Sequence, residues 1–474
     1  MSDPVSIPLN PLKNEPISRL VRQISTPVSI GMFFQTMYNV VDTWAAGRLS
    51  TEALAALTAS FPVFFLIIAV AHGCQAAASA LISHALGADD EETARELAGQ
   101  SLFFATWMSL AVGAIGWGLS PQLFDWLGIV GETRELGIQY VRTIFWATPC
   151  FVIGGTFHAM LSARGNTRPF RNALIAGFFL NIIFDLWFVF GGWGLSPMGF
   201  AGIARATVLI QMGVLLYYWY MAVKAGFIPP SGFAHLHPRW RAQRRLMGQG
   251  FPALLNMLTI AAGIFIHTHF AGKVGTEVLA AFGTGMRIEQ IALLPIIGLN
   301  TAAMTLAGHS YGAGRLDRLR ETVFVCMRTG TVLYLIGAPI VAGFAPFWMS
   351  RFSQDPEVIA IGATFLRFAM ATMYSFVILF ISTSVLQGLQ RPHFAIWLGL
   401  YRQFLAPLLL IPILMARFER PEIGIWWGVL ISTWSGALIA ALFLMWTWRS
   451  LKKEFAGKNE KIAENPELIG CKEA

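Results

Sequence analysis

Charged residues and cysteines are both scarce in this chain. Only 13% of its 474 residues are Asp, Glu, Lys or Arg, whereas 55% are hydrophobic. A soluble protein carries about a quarter charged residues, so we interpret the chain as a polytopic membrane protein. The four cysteines are too scattered to indicate a disulfide framework or a metal-binding motif. Residues 1–25 lack the apolar core of a signal peptide, so no cleaved leader is expected.

Long apolar stretches, by contrast, occupy most of the chain. Each is long enough to cross a bilayer, which predicts an all-α fold of twelve transmembrane helices. Their approximate bounds are 26–48, 54–86, 95–118, 134–162, 168–191, 197–225, 246–271, 276–311, 318–345, 357–388, 392–417 and 423–449. Most Lys and Arg residues lie in the two tails and in the even-numbered loops. They therefore indicate topology, not nucleic-acid binding, and predict cytoplasmic termini at the cell inner (plasma) membrane.

The second half of the chain repeats the first. Shifted by 225 residues, Pro27 falls on Pro252, and AGRLSTEALAA at 46–56 falls on AGKVGTEVLAA at 271–281. Six spans per unit is an even number, so the repeats are predicted to be parallel and to enclose a central cavity. The predicted division is a cytoplasmic N-terminal segment (1–25), a six-helix bundle (26–225), a cytoplasmic linker (226–245), a second six-helix bundle (246–449) and a disordered cytoplasmic tail (450–474).

Two acids lie well inside the apolar spans of the first half, away from where those spans begin. Asp42 lies in the first span and Asp185 in the fifth, one helical turn after Asn181. A carboxylate in hydrocarbon costs at least ~3 kcal/mol, so such acids are usually buried between helices and functional. Counting 1.5 Å per residue places both about 9 Å below the outer boundary, in a layer with Tyr140 and Thr207. Two close carboxylates cannot both ionise cheaply, so the layer suits either H⁺ or Na⁺.

Other polar residues within the spans are candidates for contacts in the cavity. Gln35 and Tyr38 share the helix face of Asp42 and are candidate substrate contacts, as is His158 in the fourth span. The second-half cavity candidates are Arg287, Glu289, His267 and Arg402. For these four, a cavity role and a structural role both stay open, and Arg402 is a candidate partner for Glu289. His267 occupies the position that corresponds to Asp42, so the acid is not repeated in the second half.

Four motifs, in order along the chain, resemble the multidrug and toxic compound extrusion (MATE) family. They are YNVVDTWAAGRLSTEALAA, LSARGNTRP, LNIIFD and HSYGAGRLDR, and the resemblance extends over the whole chain. A match to its DinF-like branch implies a cation-coupling site formed by Asp42, Asp185, Asn181, Tyr140 and Thr207. It also implies that the first helix bends at Pro27. The NorM-like branch uses acids in the seventh and tenth helices, where this sequence has only Glu357 at an outer edge.

The resemblance implies a secondary antiporter that exports amphipathic, often cationic, organic compounds in exchange for H⁺ or Na⁺. It implies no cofactor, and the expected partners are small amphipathic substrates and the lipid bilayer, with a monomeric protein. The alternative is a flippase for lipid-linked saccharides of the same superfamily, although such flippases commonly have a more cationic cavity and extra helices. No Walker A, HExxH or GxSxG motif occurs in a plausible setting, so an enzyme is not expected.

Overall fold

The computed structural model describes residues 11–192, 194–228 and 238–464, and these form a helical bundle without a β-sheet. The main helices are α1 (Ile17–Leu49), α2 (Thr51–Gly87), α3 (Glu91–Trp126), α4a (Gly131–Trp146), α4b (Thr148–Ala163), α5 (Arg168–Phe190), α6 (Phe200–Lys224), α7 (Trp240–Val274), α8 (Thr276–Gly312), α9 (Leu316–Gly343), α10 (Pro356–Gly388), α11a (His393–Leu400), α11b (Ala406–Met415) and α12 (Pro421–Glu464). A π-helical turn, Tyr401–Leu405, joins α11a to α11b, and Pro11–Asn14 and Ala345–Ser350 are short helices.

These helices form the twelve predicted spans. Among the described residues, ten helices are long and apolar enough to cross a membrane when α11a and α11b count as one. The pair α4a and α4b is an eleventh span, bent by 45° where Pro149 enters α4b. The twelfth is α1, whose 33 residues include a polar first part and an internal acid that lower its hydropathy. The predicted all-α, twelve-helix fold class is confirmed.

Side-chain caps fix the starts of several helices after very short connections. The Ser50 hydroxyl accepts a hydrogen bond from the Ala53 N–H at 3.0 Å, at the start of α2. The carboxylate of Asp90 accepts from the Thr93 N–H at 2.8 Å, at the start of α3. Each cap satisfies an N–H group that the helix itself leaves without a partner. Because the connections are so short, consecutive helices are held as antiparallel neighbours.

Three helices extend into the predicted N-terminal segment, linker and tail. Helix α1 begins at Ile17 and not near residue 26, and α7 begins inside the predicted linker, at Trp240. Helix α12 continues to Glu464, so the prediction of a disordered tail from residue 450 is wrong for that part. Hydropathy detects only the part of a helix that lies in lipid, whereas Lys, Glu and Ala continue a helix into water. Residues 229–237 of the linker and 465–474 of the tail lie outside the described residues.

The two halves of the chain pack together through α1, α2, α7 and α8. Glycines allow the closest approaches between them. A Cβ atom on Gly250 of α7 would lie 3.0 Å from the carbonyl oxygen of Gly73 on α2. A Cβ atom on Gly298 of α8 would lie 2.5 Å from the carbonyl oxygen of Ser25 on α1. These backbone contacts leave no room for a larger side chain, so they join the halves firmly.

Polar side chains on α1 and α8 are exposed toward the end of the bundle that lies away from the described chain ends. Ser29 of α1 lies against the buried Gly298 of α8. Further along the same face of α1, Asn39 and Thr43 are exposed, as is Arg287 on α8. Polar side chains within a span face water or other protein in preference to lipid. We therefore describe the space between the halves at this end as the cleft.

Candidate cation and substrate site

The five side chains predicted to share a layer lie together inside the first half. Each is less than a tenth exposed. They are Asp42 on α1, Tyr140 on α4a, Asn181 and Asp185 on α5, and Thr207 on α6. The structure therefore brings together residues that are up to 165 positions apart in the chain.

The two polar residues of α5 belong to a buried stripe with a four-residue repeat. The buried residues of α5 are Pro169, Ala173, Gly177, Asn181, Asp185 and Val189. On the other side of the helix, Phe179 and Ile183 are exposed, as befits a lipid-facing surface. The repeat follows from the helical period, so the apolar residues direct α5 with its amide and acid toward the bundle interior.

The two carboxyl groups face each other and share one amide. Asn181 Nδ2 donates a hydrogen bond to Asp42 Oδ1 at 2.8 Å. The carboxyl groups of Asp42 and Asp185 lie within hydrogen-bonding reach of one another. Among the described residues, no N–H or O–H group donates to either oxygen of Asp185. Two buried carboxylates in contact repel each other, so this pair requires a proton or a cation between its oxygens.

Two tyrosines complete the layer around the acids. The Tyr38 hydroxyl donates to Thr207 Oγ1 at 3.2 Å, across α1 and α6. The Tyr140 ring packs on Phe200 with a centroid separation of 5.5 Å, and its hydroxyl interacts electrostatically with both acids. Tyr38 was a candidate substrate contact, and the structure places it beside the acids with its hydroxyl bonded to Thr207. It therefore belongs to the buried layer.

The layer offers oxygen atoms as its only ligands. Besides both Asp185 oxygens, Asn181 Oδ1 is buried without a donor in the described part of the chain. No group of three His, Cys, Asp or Glu residues there is arranged to hold a metal ion. Carboxyl, amide and hydroxyl oxygens suit a hard cation or a proton. The donor set therefore fits either H⁺ or Na⁺.

The other first-half candidates lie outside this layer. Gln35 is half-buried on α1, one turn before Tyr38. His158 is buried near the opposite end of the first half, where its ring stacks on Phe170 at a centroid distance of 4.2 Å. Ser162 Oγ lies 3.4 Å from each of the two ring nitrogens of His158. Such close packing gives His158 a place in the core and separates it from Asp42.

The second-half candidates form a separate group. Glu289 on α8 and His267 on α7 both interact electrostatically with Arg402, which lies in the π-helical turn. Among the described residues, Glu289 and Arg402 interact without forming an ion pair, so the suggested partnership is electrostatic and not a direct contact. Arg287, two residues before Glu289 on α8, is exposed.

Pro27 lies within an unbroken α1, and its surroundings include a residue that sequence reasoning did not single out. Because proline has no N–H group, the carbonyl of Gln23 lacks its usual helical donor. Thr167 Oγ1, just before α5, donates to the Ile24 carbonyl at 2.9 Å and lies 3.5 Å from that of Gln23. Thr167 belongs to the LSARGNTRP motif, but no local pattern reveals a contact 143 residues away.

Comparison with known proteins decides the family. The MatE family profile matches residues 27–187 and 252–411, and the second match begins 225 residues after the first. The chain belongs to the MatE family. A probable multidrug resistance protein NorM of Thermotoga maritima is 27% identical over 341 residues, which cover 69% of this chain and 70% of that relative.

Further MatE relatives cover almost the whole chain. A probable multidrug resistance protein NorM of Pasteurella multocida is 21% identical over 444 residues, 91% of this chain and 93% of that protein. A solved outward-facing multidrug resistance MATE family transporter of the MOP superfamily superposes with a TM-score of 0.87 at 24% identity. That superposition covers 93% of this chain and 98% of the solved chain. The MatE fold thus extends over both halves.

Proposed function

We propose that this MatE protein is a secondary antiporter that exports amphipathic, often cationic, organic compounds in exchange for H⁺ or Na⁺. The observation that carries the proposal is the buried pair Asp42 and Asp185, which needs a proton or a cation between its oxygens. The multidrug resistance names of the relatives support an organic cargo. No observation favours a flippase for lipid-linked saccharides.

Coupling between ion and cargo follows from the position of Asp42 on α1. The same helix contributes Asp42 to the acid pair, Asn39 and Thr43 to the cleft, and Ser25 and Ser29 to the contact with α8. An ion that binds at Asp42 removes the repulsion between the acids and lets α1 pack more closely on α5. A bend of α1 at Pro27 would then narrow the space left for cargo, which gives alternating access.

The acids of this site lie in α1 and α5, so we assign the protein to the DinF-like branch. The positive-inside rule supports cytoplasmic termini in a cell inner membrane. We propose a monomer as the functional unit.

The test is export of ethidium by proteoliposomes that contain the wild-type protein, Asp42→Asn or the control Asp125→Asn. Asp125 lies in an exposed ion pair with Arg134, outside the buried layer. A pH gradient and a sodium gradient are imposed separately. We expect one gradient to drive export in the wild type and the control, and at least a tenfold lower rate in Asp42→Asn, since the loss of a charged hydrogen bond costs about 1.5–3 kcal/mol.

The gradient that drives export names the coupling ion. Gradient-driven export that is unchanged in Asp42→Asn would contradict the proposed site. If neither gradient moves ethidium or a second organic cation in the wild type, drug antiport itself is wrong.

A further inference from the structure

Helix α7 of the second half is docked onto α3 of the first half by a polar cluster. Gln243 Nε2 donates hydrogen bonds to the main-chain oxygen of Gln100 at 3.1 Å and to its side-chain oxygen at 2.9 Å. The same side-chain oxygen accepts from the Arg239 N–H at 3.0 Å, and the Arg239 guanidinium forms a 2.7 Å ion pair with Glu96. These contacts fix the first turn of α7 against α3.

An apolar groove lies one helical turn beyond this cluster, where α2, α3 and α7 meet. Its walls are formed by Phe104 and Trp107 of α3 and by Met247 and Phe251 of α7. Its base includes Gly73 of α2, where that glycine meets the backbone of α7. The empty volume of the groove, including its open side, is about 310 Å³. We call it the lateral groove.

The lateral groove opens onto the outer surface of the bundle. Trp107, Met247 and Phe251 are 37%, 41% and 56% exposed, whereas Gly73 is buried. Exposed apolar surface of this kind is typical of contact with a membrane. Phe251 follows the start of α7 at Trp240 by about 16 Å along the helix axis. The hydrocarbon of one leaflet is about 15 Å thick, so a single leaflet spans the distance from the helix start to the groove.

One face of α7 continues from the lateral groove to the start of the helix. Trp240, Arg244, Met247 and Phe251 follow one another at intervals of three or four residues, so they share that face. Trp240 is 72% exposed, and Arg244 is exposed as well. Trp is enriched at the headgroup level of membranes, and the planar guanidinium of Arg matches the geometry of phosphate. The face therefore presents a phosphate-binding side chain one turn before an apolar groove.

Arg244 belongs to a group of three arginines without an acidic partner. Arg241 and Arg245 are exposed beside it. Within the described ranges of the chain, none of the three forms an ion pair, and the nearby Glu96 is already paired with Arg239. Their positive charge favours a ligand of net negative charge and opposes the approach of a cationic cargo.

We propose that the lateral groove binds one anionic phospholipid, whose phosphate contacts Arg244 and whose acyl chain packs between Trp107 and Phe251. Arg241 and Arg245 favour a headgroup of net negative charge over a zwitterionic one, in which a cationic amine accompanies the phosphate. The lipid contacts α3 of the first half and α7 of the second, beside the glycine contact that joins α2 to α7. Bound lipid therefore stabilises the contact between the two halves.

Two phospholipids with the same acyl chains test the proposal. Palmitoyl-oleoyl phosphatidylglycerol is anionic, whereas palmitoyl-oleoyl phosphatidylcholine is zwitterionic. Native mass spectrometry of the purified full-length protein in detergent measures the affinity for each. We expect the wild type to bind phosphatidylglycerol at least about fivefold more tightly. Arg244→Gln should weaken binding of phosphatidylglycerol about tenfold, because a charged hydrogen bond is lost, and should reduce the preference for the anionic lipid.

Two further variants separate the groove from general surface charge. Met247→Trp fills the lateral groove from its exposed side and should weaken binding of both lipids. Arg320→Gln removes an exposed arginine near the start of α9 and should change neither affinity. The unfolding temperature of each variant without added lipid shows whether it is folded. In the wild type, phosphatidylglycerol should raise this temperature more than phosphatidylcholine does, because the lipid that binds the folded protein more tightly stabilises it more.

Equal affinity of the wild type for the two lipids would overturn the proposal, as would equal weakening by Arg244→Gln and Arg320→Gln. It is also wrong if Met247→Trp leaves both affinities unchanged, or if glycerol 1-phosphate displaces the lipid at a similar concentration, since only the headgroup would then be recognised. Displacement by ethidium would assign the groove to cargo instead. Binding is measured without an ion gradient, so failure here is distinct from failure of the proposed export function.

Discussion

The charge of Asp42 depends on a single amide donor. Asn181 Nδ2 donates to Asp42 Oδ1 at 2.8 Å, and both residues are buried. A hydrogen bond to a charged group contributes about 1.5–3 kcal/mol to stability. Leaving a buried charged group without its hydrogen-bond partner costs more free energy than leaving a neutral group without one. In the proposed antiport cycle, Asn181 therefore stabilises the state in which Asp42 has released its ion.

Replacing Asn181 by Ala should slow gradient-driven export of ethidium about tenfold, because release of the ion from Asp42 loses that stabilisation. The rate is measured in proteoliposomes with the driving gradient in place. Asn172→Ala is the matched control, since Asn172 lies on the same helix but is exposed. Equal rates for the two variants would show that the amide has no part in coupling.

Counting residues along helices predicted the acid layer well. Helical rise and period are nearly constant, so the depth of Asp42 and Asp185 and their inward direction follow from the sequence. The hydroxyl contact between Tyr38 and Thr207 does not, because it depends on how α1 and α6 are rotated against each other. For the same reason the sequence did not reveal that the Phe170 ring stacks on the His158 ring.

On the scale of helices, Pro27 and Thr167 form one structural unit. The proline deprives the Gln23 carbonyl of a helical donor, and the buried hydroxyl of Thr167 reaches the carbonyls of that turn. Thr167 precedes α5, so this contact ties the start of α5 to the turn where α1 would bend. The Thr167 hydroxyl can break and re-form its hydrogen bonds to α1, whereas a backbone hydrogen bond in the middle of a helix cannot break without disturbing the helix.

Replacing Thr167 by Val should lower the free energy of unfolding by about 1–3 kcal/mol, because a buried carbonyl loses its donor while the shape of the side chain is kept. Denaturant titration in detergent micelles measures this change. In a Pro27→Ala background the loss should be smaller, since the alanine would return an N–H group to the Gln23 carbonyl. A double-mutant cycle with no coupling energy would contradict the proposed unit.

Hydropathy could not predict the ends of the helices or the π-helical turn. The start of α1 at Ile17 and the end of α12 at Glu464 lie where polar residues continue a helix outside the apolar stretch. The π-helical turn at Tyr401–Leu405 ends just before Pro407, which cannot donate an N–H to the carbonyls of that turn, and Arg402 and Gln403 of the turn pack against α12 and α7. Periodicity predicts that a helix exists, but not where its hydrogen-bond pattern changes.

For the whole molecule, the decisive feature is that the halves make close backbone contacts toward one end, whereas polar residues of α1 and α8 are exposed toward the other. Gly298 packs against the α1 backbone near Ser25, whereas Asn39 and Arg287 are exposed. The repeat in the sequence predicted two halves around a cavity, but it did not predict which end is closed. That depends on close glycine contacts between helices, which leave no periodic signal.

Cysteine labelling tests whether the exposed face of α1 lines a water-filled cleft. In a cysteine-free background, Asn39→Cys should react rapidly with a charged, membrane-impermeant maleimide added from the side away from the termini. Ser83→Cys is the control, because Ser83 is fully buried near the closed end, and it should react at least about tenfold more slowly. If residue 39 faced lipid, the charged reagent could not reach it, so equal slow labelling of both variants would contradict the cleft.

A coupling ion that closes the cleft should protect Asn39→Cys from labelling. This protection should be lost when Asp42→Asn is added, because the cleft is then no longer linked to the acid pair.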